Sequence, residues 1–279
     1  MSTAPLLFLN DGNRIPQLGL GTWQVLDRQV SETLGTAFNA GYRSIDTAAI
    51  YNNETAIGEA LCRCSIPREQ IFITTKVWNS DQGFDNTLKA FDKSLARLGL
   101  DYADLYLIHW PAPALGRYVD TWRALIRLRQ EGRVRSIGVS NFNIAHLQHL
   151  IDETGVTPAI NQIELHPQFA QTELRAFHAG HGIRTESSSP LAQGGAVLKS
   201  AVPARIARKH GRTPAQIILR WHIELGLAAT PKATTPEHIH ENAGIFDFKL
   251  DPADIAALGT LDTGRRLGPN PDTFSPSVS

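Results

Sequence analysis

The stretch DTAAIY, residues 46–51, supplies an acid and a phenol from the end of one short predicted strand and from the turn that follows it. Three later predicted strands end on further polar residues: Lys76 in IFITTK, His109 in DLYLIHW and Ser140 in SIGVSN. An acid, an ammonium and an imidazole are each costly to bury without partners. Their convergence on one point is typical of proton-transfer chemistry and not of core packing.

From residue 18 onwards the chain alternates between short apolar runs and amphipathic segments. We interpret eight runs as buried strands, at residues 18–21, 44–46, 71–76, 105–109, 134–140, 160–164, 183–187 and 227–229. The amphipathic patterns predict helices at residues 28–40, 54–64, 84–98, 118–131, 143–153, 172–181, 203–225 and 236–242. Eight strands, each followed by a helix, predict an α/β protein with a (β/α)8 TIM barrel, in which functional residues lie at the carboxyl ends of the strands.

Both ends of the chain add to the predicted barrel. Residues 6–15 hold an Asn-Asp-Gly-Asn turn between apolar flanks, which predicts an N-terminal β-hairpin. The end of the chain is rich in Pro, Gly and Ser, and it predicts an extra C-terminal helix or loop. We expect residues 1–279 to form a single domain. A doubly wound dinucleotide-binding fold is disfavoured, because the segment Gly19-Leu20-Gly21 lacks the third glycine of its phosphate-binding turn.

The composition disfavours several classes of partner. The chain has 27 Lys and Arg residues against 27 Asp and Glu residues, so neither nucleic acid nor an anionic membrane is an expected partner. No apolar run approaches the roughly 20 residues of a membrane-spanning helix, and the N-terminus lacks the features of a signal peptide, so we expect a cytoplasmic protein. Cys62 and Cys64 have a spacing that suits neither zinc nor a disulfide, and we expect no metal site.

The predicted strand ends form a polar ring with an aromatic margin. In chain order its members are Trp23, Asp46, Tyr51, Lys76, Trp78, His109, Trp110, Ser140, Asn141, Gln162, Ser187, Ser188, Ser189 and Lys232. Such a ring suits a pocket for a small polar organic molecule. Taken singly, each member has a structural explanation, such as a helix N-cap for an Asp or packing for a Trp. Taken together, four different titratable groups at neighbouring strand ends indicate an active site.

Six stretches of the sequence resemble the signatures of the aldo-keto reductases. They are LGLGTW, GYRSIDTAAIYNNETAIGEAL, IFITTKVWN, DYADLYLIHWP, GRVRSIGVSNF and PAINQIELHP. The resemblance runs through essentially the whole chain, and in detail it is strongest to bacterial 2,5-diketo-D-gluconic acid reductases. It implies a barrel enzyme that reduces aldehydes, ketones or keto sugars to alcohols with NADPH, and it implies a monomer.

The resemblance also implies roles for four catalytic residues. Tyr51 would donate a proton to the carbonyl oxygen, while a reduced nicotinamide would supply the hydride that no side chain can give. Lys76 would favour the phenolate and so lower the pKa of Tyr51, and Asp46 would keep Lys76 charged and fixed. His109 would hydrogen-bond the substrate oxygen. The substrate contacts would be Trp23, Trp78, His109 and Trp110.

The positions that match the family's cofactor contacts fall into three groups. They are Ser140, Asn141 and Gln162 at the nicotinamide carboxamide, Ser187, Ser188, Ser189, Pro190, Leu191 and Gln193 at a strand end and the loop that passes the pyrophosphate, and Lys232, His238, Glu241 and Asn242 near the adenosine end. The chain departs from the family at Ser188, where an aromatic residue usually stacks on the nicotinamide. It also departs at Ala233 and His238, where a serine and an arginine usually bind the 2′-phosphate. Only Lys232 remains of that charged cluster, so we expect NADPH to be preferred and NADH to be used as well.

Two other functions are compatible with a barrel. A glycoside hydrolase would need paired carboxylates, and Glu164 or Glu186 could partner Asp46, but Lys76 and Tyr51 would then have no role. The second alternative is a cofactor-binding regulatory protein of the same fold with weak or no turnover, which the missing aromatic residue supports. The complete set of four catalytic residues favours the reductase.

Overall fold

The computed structural model describes residues 4–275 of the chain. A two-stranded antiparallel hairpin comes first, formed by β1 (Leu6–Phe8) and β2 (Arg14–Pro16). Asn10 donates a hydrogen bond to the backbone oxygen of Pro158, and Asn13 donates one to the hydroxyl of Ser136. These two acceptors lie where barrel strands begin, so the predicted hairpin is confirmed and covers the amino-terminal end of the barrel.

Eight parallel strands form the barrel wall, and each pairs with the next one along the chain. They are β3 (Leu20–Gly21), β4 (Ser44–Asp46), β5 (Phe72–Val77), β6 (Ala103–Ile108), β7 (Val134–Ser140), β8 (Ile160–Glu164), β9 (Arg184–Ser188) and β10 (Ala228–Ala229). Parallel bridges from Leu18 to Ala229 and from Gly21 to Lys232 join the first strand to the last. The sheet is therefore closed, and the predicted (β/α)8 barrel is confirmed.

The helices surround the barrel. They are α1 (Asp27–Asn39), α2 (Glu54–Arg63), α3 (Phe84–Leu98), α4 (Tyr118–Gln130), α5 (Ile144–Thr154), α6 (Thr172–Gly180), α7 (Ala201–His210), α8 (Pro214–Glu224), α9 (Pro236–Ala243) and α10 (Pro252–Gly259). Within residues 4–275, none of the helices combines the length and the apolar character that are needed to cross a membrane.

One predicted helix is wrong in its extent. Residues 203–225 do not form one helix but belong to α7 and α8, because Gly211 adopts a left-handed conformation with φ of 62° after α7. Thr213 then caps α8 by accepting a hydrogen bond from the backbone of Gln216, and Pro214 occupies the first turn, where it costs no helical hydrogen bond. Near the end of the chain, α10 forms the extra C-terminal element, which the sequence predicted as a helix or a loop.

The main core lies between the barrel wall and the helices. In α3, Ala90, Phe91, Leu95 and Leu98 recur at helical spacing and are buried against the barrel. The ring of Phe91 packs on that of Tyr106 in β6, with 4.6 Å between the ring centroids. The amphipathic pattern of the sequence therefore fixes which face of each helix turns towards the strands.

Helices α2 and α3 approach each other closely at Gly58. A Cβ atom at this position would lie 2.5 Å from the backbone oxygen of Leu98. That oxygen belongs to the end of α3, so it cannot rotate away as a side chain would. Gly35 in α1 offers a contrast, because a Cβ atom there would meet no atom within 4 Å.

We predict that Gly58→Ala lowers the thermal unfolding midpoint, since the added methyl group would force the two helices apart at a cost of about 1–3 kcal/mol. The matched control is Gly35→Ala, which should be neutral or stabilising by up to about 1 kcal/mol because alanine favours an exposed helix. Thermal denaturation of both variants checks this. Equal midpoints for the two variants would contradict the close approach of the helices.

Candidate active site

A buried ion pair lies at the carboxyl end of the barrel. Lys76 in β5 is fully buried, and its Nζ lies 2.6 Å from Oδ1 of Asp46 at the end of β4. The same Nζ donates a hydrogen bond of 2.9 Å to the backbone oxygen of Thr47. Burial alone would lower the pKa of Lys76, but the charges of Asp46 and Tyr51 raise it above the ordinary value. Lys76 therefore remains an ammonium at neutral pH.

Tyr51 lies beside this ion pair, in the short turn Ala49–Tyr51 that follows β4. The Nζ atom of Lys76 is 5.2 Å from the centroid of the Tyr51 ring. Burial raises the pKa of Tyr51, and Lys76 opposes this effect without cancelling it. Lys76 therefore lowers the pKa of Tyr51, as expected, but desolvation of the phenolate has the larger effect and keeps that pKa above its ordinary value. Tyr51 is a protonated phenol at neutral pH.

His109 faces Tyr51 directly after β6. Its ring meets that of Tyr51 edge to face at 5.6 Å between centroids, and it meets the Trp78 ring at 5.1 Å. Burial and the neighbouring charge of Lys76 hold the pKa of His109 well below its ordinary value. The imidazole is therefore neutral. Its Nδ1 has no hydrogen-bond partner among the described residues.

Two polar strand ends complete this part of the site. Ser140, the last residue of β7, donates a hydrogen bond of 2.9 Å to the backbone oxygen of Gln162. Asn141 adopts a left-handed conformation with φ of 63°, and its side chain donates to the backbone oxygen of His109 at 3.0 Å. A non-glycine residue in this conformation is strained and often functional. These contacts tie the ends of β6, β7 and β8 together.

Gln162 links Asp46 to a second buried carboxylate. Its Nε2 donates hydrogen bonds of 2.8 Å to Oδ2 of Asp46 and of 2.8 Å to Oε2 of Glu186. Burial, followed by the charge of Asp46, raises the pKa of Glu186 to about 7. Sequence reasoning considered Glu186 only as a hydrolase carboxylate. Glu186 lies in β9 directly opposite Gln162 in the pairing with β8, and this strand pairing is the feature that predicts the contact between the two side chains.

A cavity of about 1080 Å³ opens at this end of the barrel. The predicted site residues that line it are Trp23, Asp46, Tyr51, Trp78, His109, Trp110, Ser140, Asn141, Gln162, Ser188, Ser189, Pro190, Leu191, Gln193, Lys232, His238, Glu241 and Asn242. Two predicted residues do not line it. Lys76 lies beneath the surface of the cavity, and Ser187 is buried with its hydroxyl 3.0 Å from Nδ1 of His222. Ser187 therefore has no side-chain access to a molecule in the cavity.

The loop after β9 carries unusual backbone conformations. Ser189, Ala192 and Gln193 all have positive φ, at 49°, 49° and 55°. Left-handed non-glycine residues cost free energy, and such strain concentrates at ligand-binding loops. The loop lines the cavity together with the beginning of α8 and residues of α9. The size of the cavity and the polar groups along it fit a dinucleotide with a small second molecule.

The C-terminal tail covers one side of the cavity, in a conformation that the sequence did not reveal. Glu164 accepts hydrogen bonds from the backbone nitrogens of Leu267 at 2.6 Å and Gly268 at 2.7 Å. Burial alone would raise the pKa of Glu164, but these bonds and the one from His166 lower it, so Glu164 is ionised. Sequence reasoning missed this role of Glu164. The other lining residues that it missed are Gly21, Gln24, Ile50, Gly194, Leu198, Thr213, Pro214, Ala215, Thr230, Pro231, Gly268 and Pro269.

The aromatic margin is partly closed by the same tail. The ring of Phe274 packs on that of Trp110 with 4.5 Å between centroids, and Asp272 accepts a hydrogen bond of 2.7 Å from Asn143. Trp23, which also lines the cavity, is 45% exposed and so is accessible to a bound molecule. Among residues 4–275, no group of three or more His, Cys, Asp or Glu side chains has the arrangement of a metal site.

Comparison with known proteins agrees with this geometry. The profile of the Aldo/keto reductase family matches residues 17–262. An aldo-keto reductase of Mycolicibacterium smegmatis is 55% identical over 272 residues, which cover 98% of each protein. Methylglyoxal reductase DkgA of Escherichia coli is 52% identical over 275 residues, which cover 98% of this chain and 99% of that protein.

Solved structures give the same result. An aldo/keto reductase from Brucella melitensis has a TM-score of 0.90 and 56% identity, covering 93% of this chain and 100% of that one. A variant of Gox0644 in complex with NADPH has a TM-score of 0.94 and 46% identity, covering 98% of this chain and 99% of that one. The match of fold, sequence and site geometry over nearly the whole length leads to one conclusion: the chain belongs to the aldo/keto reductase family.

Proposed function

We propose that this protein reduces small, uncharged aldehydes and dicarbonyls to alcohols with NADPH, and that Tyr51 donates the proton. The observation that carries the proposal is the protonated Tyr51 beside the buried Lys76–Asp46 pair, in a cavity large enough for a dinucleotide. The relatives named methylglyoxal reductase and the relative solved with NADPH support the reaction and the cofactor.

The protein residues must deliver a proton and hold the carbonyl. NADPH, when bound, supplies the hydride to the carbonyl carbon. Negative charge that develops on the carbonyl oxygen draws the proton from the hydroxyl of Tyr51. The phenolate that remains lies beside the ammonium of Lys76, which stabilises it. Asp46 holds that ammonium in place through its contact of 2.6 Å.

His109 orients the substrate. Because its imidazole is neutral, it can donate one N–H to the carbonyl oxygen without offering a competing proton source of lower pKa. Its contacts with the rings of Tyr51 and Trp78 restrict the plane of the imidazole. The carbonyl oxygen would thus be held between the phenol of Tyr51 and the imidazole of His109.

The cofactor would be held along the rest of the cavity. Ser140, Asn141 and Gln162 would bind the nicotinamide carboxamide, and the strained loop from Ser189 to Gln193 would bind the pyrophosphate. Lys232 and His238 would bind the 2′-phosphate, and Glu241 and Asn242 would lie near the adenine. All of these side chains line the cavity, which supports the assignment.

The charges around the cavity favour an uncharged substrate. Among the described residues that line it, Lys232 is the only Lys or Arg, and we assign it to the cofactor. The ionised Glu164 also lines the cavity, as does Asp46. The charge of Asp46 is balanced by Lys76, so a substrate carboxylate would meet the ionised Glu164 and a neutral imidazole, with no Lys or Arg of the described lining left to bind it. This favours aldehydes and dicarbonyls such as methylglyoxal over keto acids such as 2,5-diketo-D-gluconate.

We predict that Tyr51→Phe lowers kcat for aldehyde reduction by about 10²- to 10⁴-fold, the usual effect of losing a general acid. NADPH binding, followed by quenching of tryptophan fluorescence, should stay nearly unchanged. Tyr42→Phe is the matched control, because Tyr42 is equally a buried phenol, its hydroxyl has no partner among the described residues, and it does not line the cavity. Turnover by Tyr51→Phe above a tenth of wild type would contradict the assignment. A wild-type protein that binds NADPH but reduces no aldehyde would instead support the regulatory alternative.

The substrate class can be tested with methyl 4-formylbenzoate and 4-carboxybenzaldehyde, two aldehydes that differ in charge. We expect kcat/KM to be about tenfold higher or more for the ester, since a repulsion of about 1.4 kcal/mol suffices for that ratio. The difference should narrow at high salt, which screens the charges. Equal or better use of the acid would show that a cation reaches the substrate.

Cofactor preference should respond to His238, which is exposed at the beginning of α9. We predict that His238→Arg raises the ratio of kcat/KM with NADPH to that with NADH about tenfold or more, because a charged hydrogen bond to phosphate contributes about 1.5–3 kcal/mol. His240→Arg is the matched control, on the same helix but outside the cavity lining. If the two substitutions change the ratio equally, His238 does not face the 2′-phosphate.

A further inference from the structure

Glu186 is a buried acid that the reaction described above does not use. It lies in the middle of β9 and is only 2% exposed. Its partner in the strand pairing is Gln162 of β8, and its other neighbour, in β10, is Ala228. The charged groups that act on it are Asp46 and Lys76. Burial of a carboxylate costs free energy when its hydrogen-bond donor is a single neutral amide, so the presence of Glu186 at this position calls for an explanation.

The first consequence of Glu186 concerns the orientation of Gln162. The amide nitrogen has two N–H groups, and they are directed at Asp46 and Glu186, each at 2.8 Å. Because both acceptors require an N–H donor, the nitrogen of the amide and not its oxygen must face them, which fixes the orientation of the amide. The carbonyl oxygen of Gln162 is therefore left to accept a hydrogen bond from a molecule in the cavity.

The second consequence concerns charge. Asp46 shares its two oxygens between Lys76 and Gln162, so Glu186 is connected to the ion pair through one amide. Among the described residues, Lys76 is the cation that acts on Glu186. Each negative charge that is added nearby weakens the ability of Lys76 to stabilise the Tyr51 phenolate.

We propose that Glu186 is a positioning residue of the active site, which fixes the amide of Gln162 and, through Asp46 and Lys76, sets how readily Tyr51 gives up its proton. The inference rests on the proposed role of Tyr51. Burial and the charge of Asp46 raise the pKa of Glu186 to about 7, so its charge changes across neutral pH. Glu186 is neutral in mildly acidic solution, where the full effect of Lys76 reaches Tyr51. Its ionisation above neutrality opposes that effect.

The test is Glu186→Gln, which keeps an acceptor for Gln162 but removes the ionisation. We expect the pH midpoints of kcat for carbonyl reduction and for alcohol oxidation both to move down, by roughly half a pH unit, which is about a threefold change in the phenolate population at fixed pH. Glu59→Gln, which removes an exposed charge from the outer face of α2, should leave both midpoints in place. A loss of packing would lower the rates without moving either midpoint.

Two measurements check the titration without turnover. In the wild-type protein labelled with ¹³C at the Glu carboxyl carbons, one resonance should titrate near pH 7, and it should be missing in Glu186→Gln. The pKa of Glu186 is about 7 in the folded protein and about 4.3 in an unfolded chain. The free energy of unfolding therefore decreases as the pH rises between these two values. The thermal midpoint of Glu186→Gln should therefore exceed that of wild type by more at pH 8 than at pH 5.

The outcomes separate this inference from the proposed function. Superimposable pH profiles for wild type and Glu186→Gln, or the absence of a Glu carboxyl that titrates between pH 6 and 8, would overturn the role of Glu186 while leaving Tyr51 as the proton donor. Active Tyr51→Phe would overturn the proposed function itself. If Glu186→Gln does not fold, the titration in the labelled wild-type protein still decides whether Glu186 changes its charge near neutrality.

Discussion

The contact between Lys76 and Asp46 is the interaction on which the rest of the site depends. An ammonium with no exposed surface needs acceptors for its N–H groups, and here Asp46 and the backbone oxygen of Thr47 accept two of the three. The barrel makes this possible, because β4 and β5 pair in parallel, and Lys76 follows two residues after Thr74, the partner of Asp46 in that pairing. Tyr51 follows in the next turn, so its phenol is placed by the strand end that carries Asp46.

The remaining groups adjust the chemistry of that pair. Neutral His109 can bind the carbonyl oxygen, while Gln162 connects Asp46 to the buried Glu186. The tail adds a boundary on the substrate side, where Glu164 binds the backbone of Leu267 and Gly268. The same carboxylate places a negative charge in the lining of the cavity. Positioning of the tail and selection against charged substrates would thus depend on one residue.

Much of this could be predicted from the sequence, because strand ends and helix faces are local features. The hairpin, the eight strands and the convergence of Asp46, Tyr51, Lys76 and His109 at one end of the barrel follow from apolar runs, turn residues and the polar residues that end the strands. The conformation of the tail could not be predicted, since Glu164 is about a hundred residues away from its partners in the chain. Side-chain direction was also missed at Ser187, whose hydroxyl faces His222, whereas Ser188 lines the cavity. The net pKa shift of Tyr51 depends on burial, which a sequence motif does not measure.

The central claim is that Lys76 makes Tyr51 a better acid than its burial alone would allow. The most direct measurement is the ¹³C resonance of the tyrosine ζ carbons in wild type and in Lys76→Met, with Tyr51→Phe to assign the signal among the five tyrosines. Lys76 lowers the pKa of Tyr51 by more than Asp46 raises it, so the account holds even if Asp46 takes up a proton when Lys76 is lost. The account predicts that Tyr51 begins to titrate at a lower pH in wild type than in Lys76→Met. Titration at the same pH in both proteins, or earlier in the variant, would contradict it.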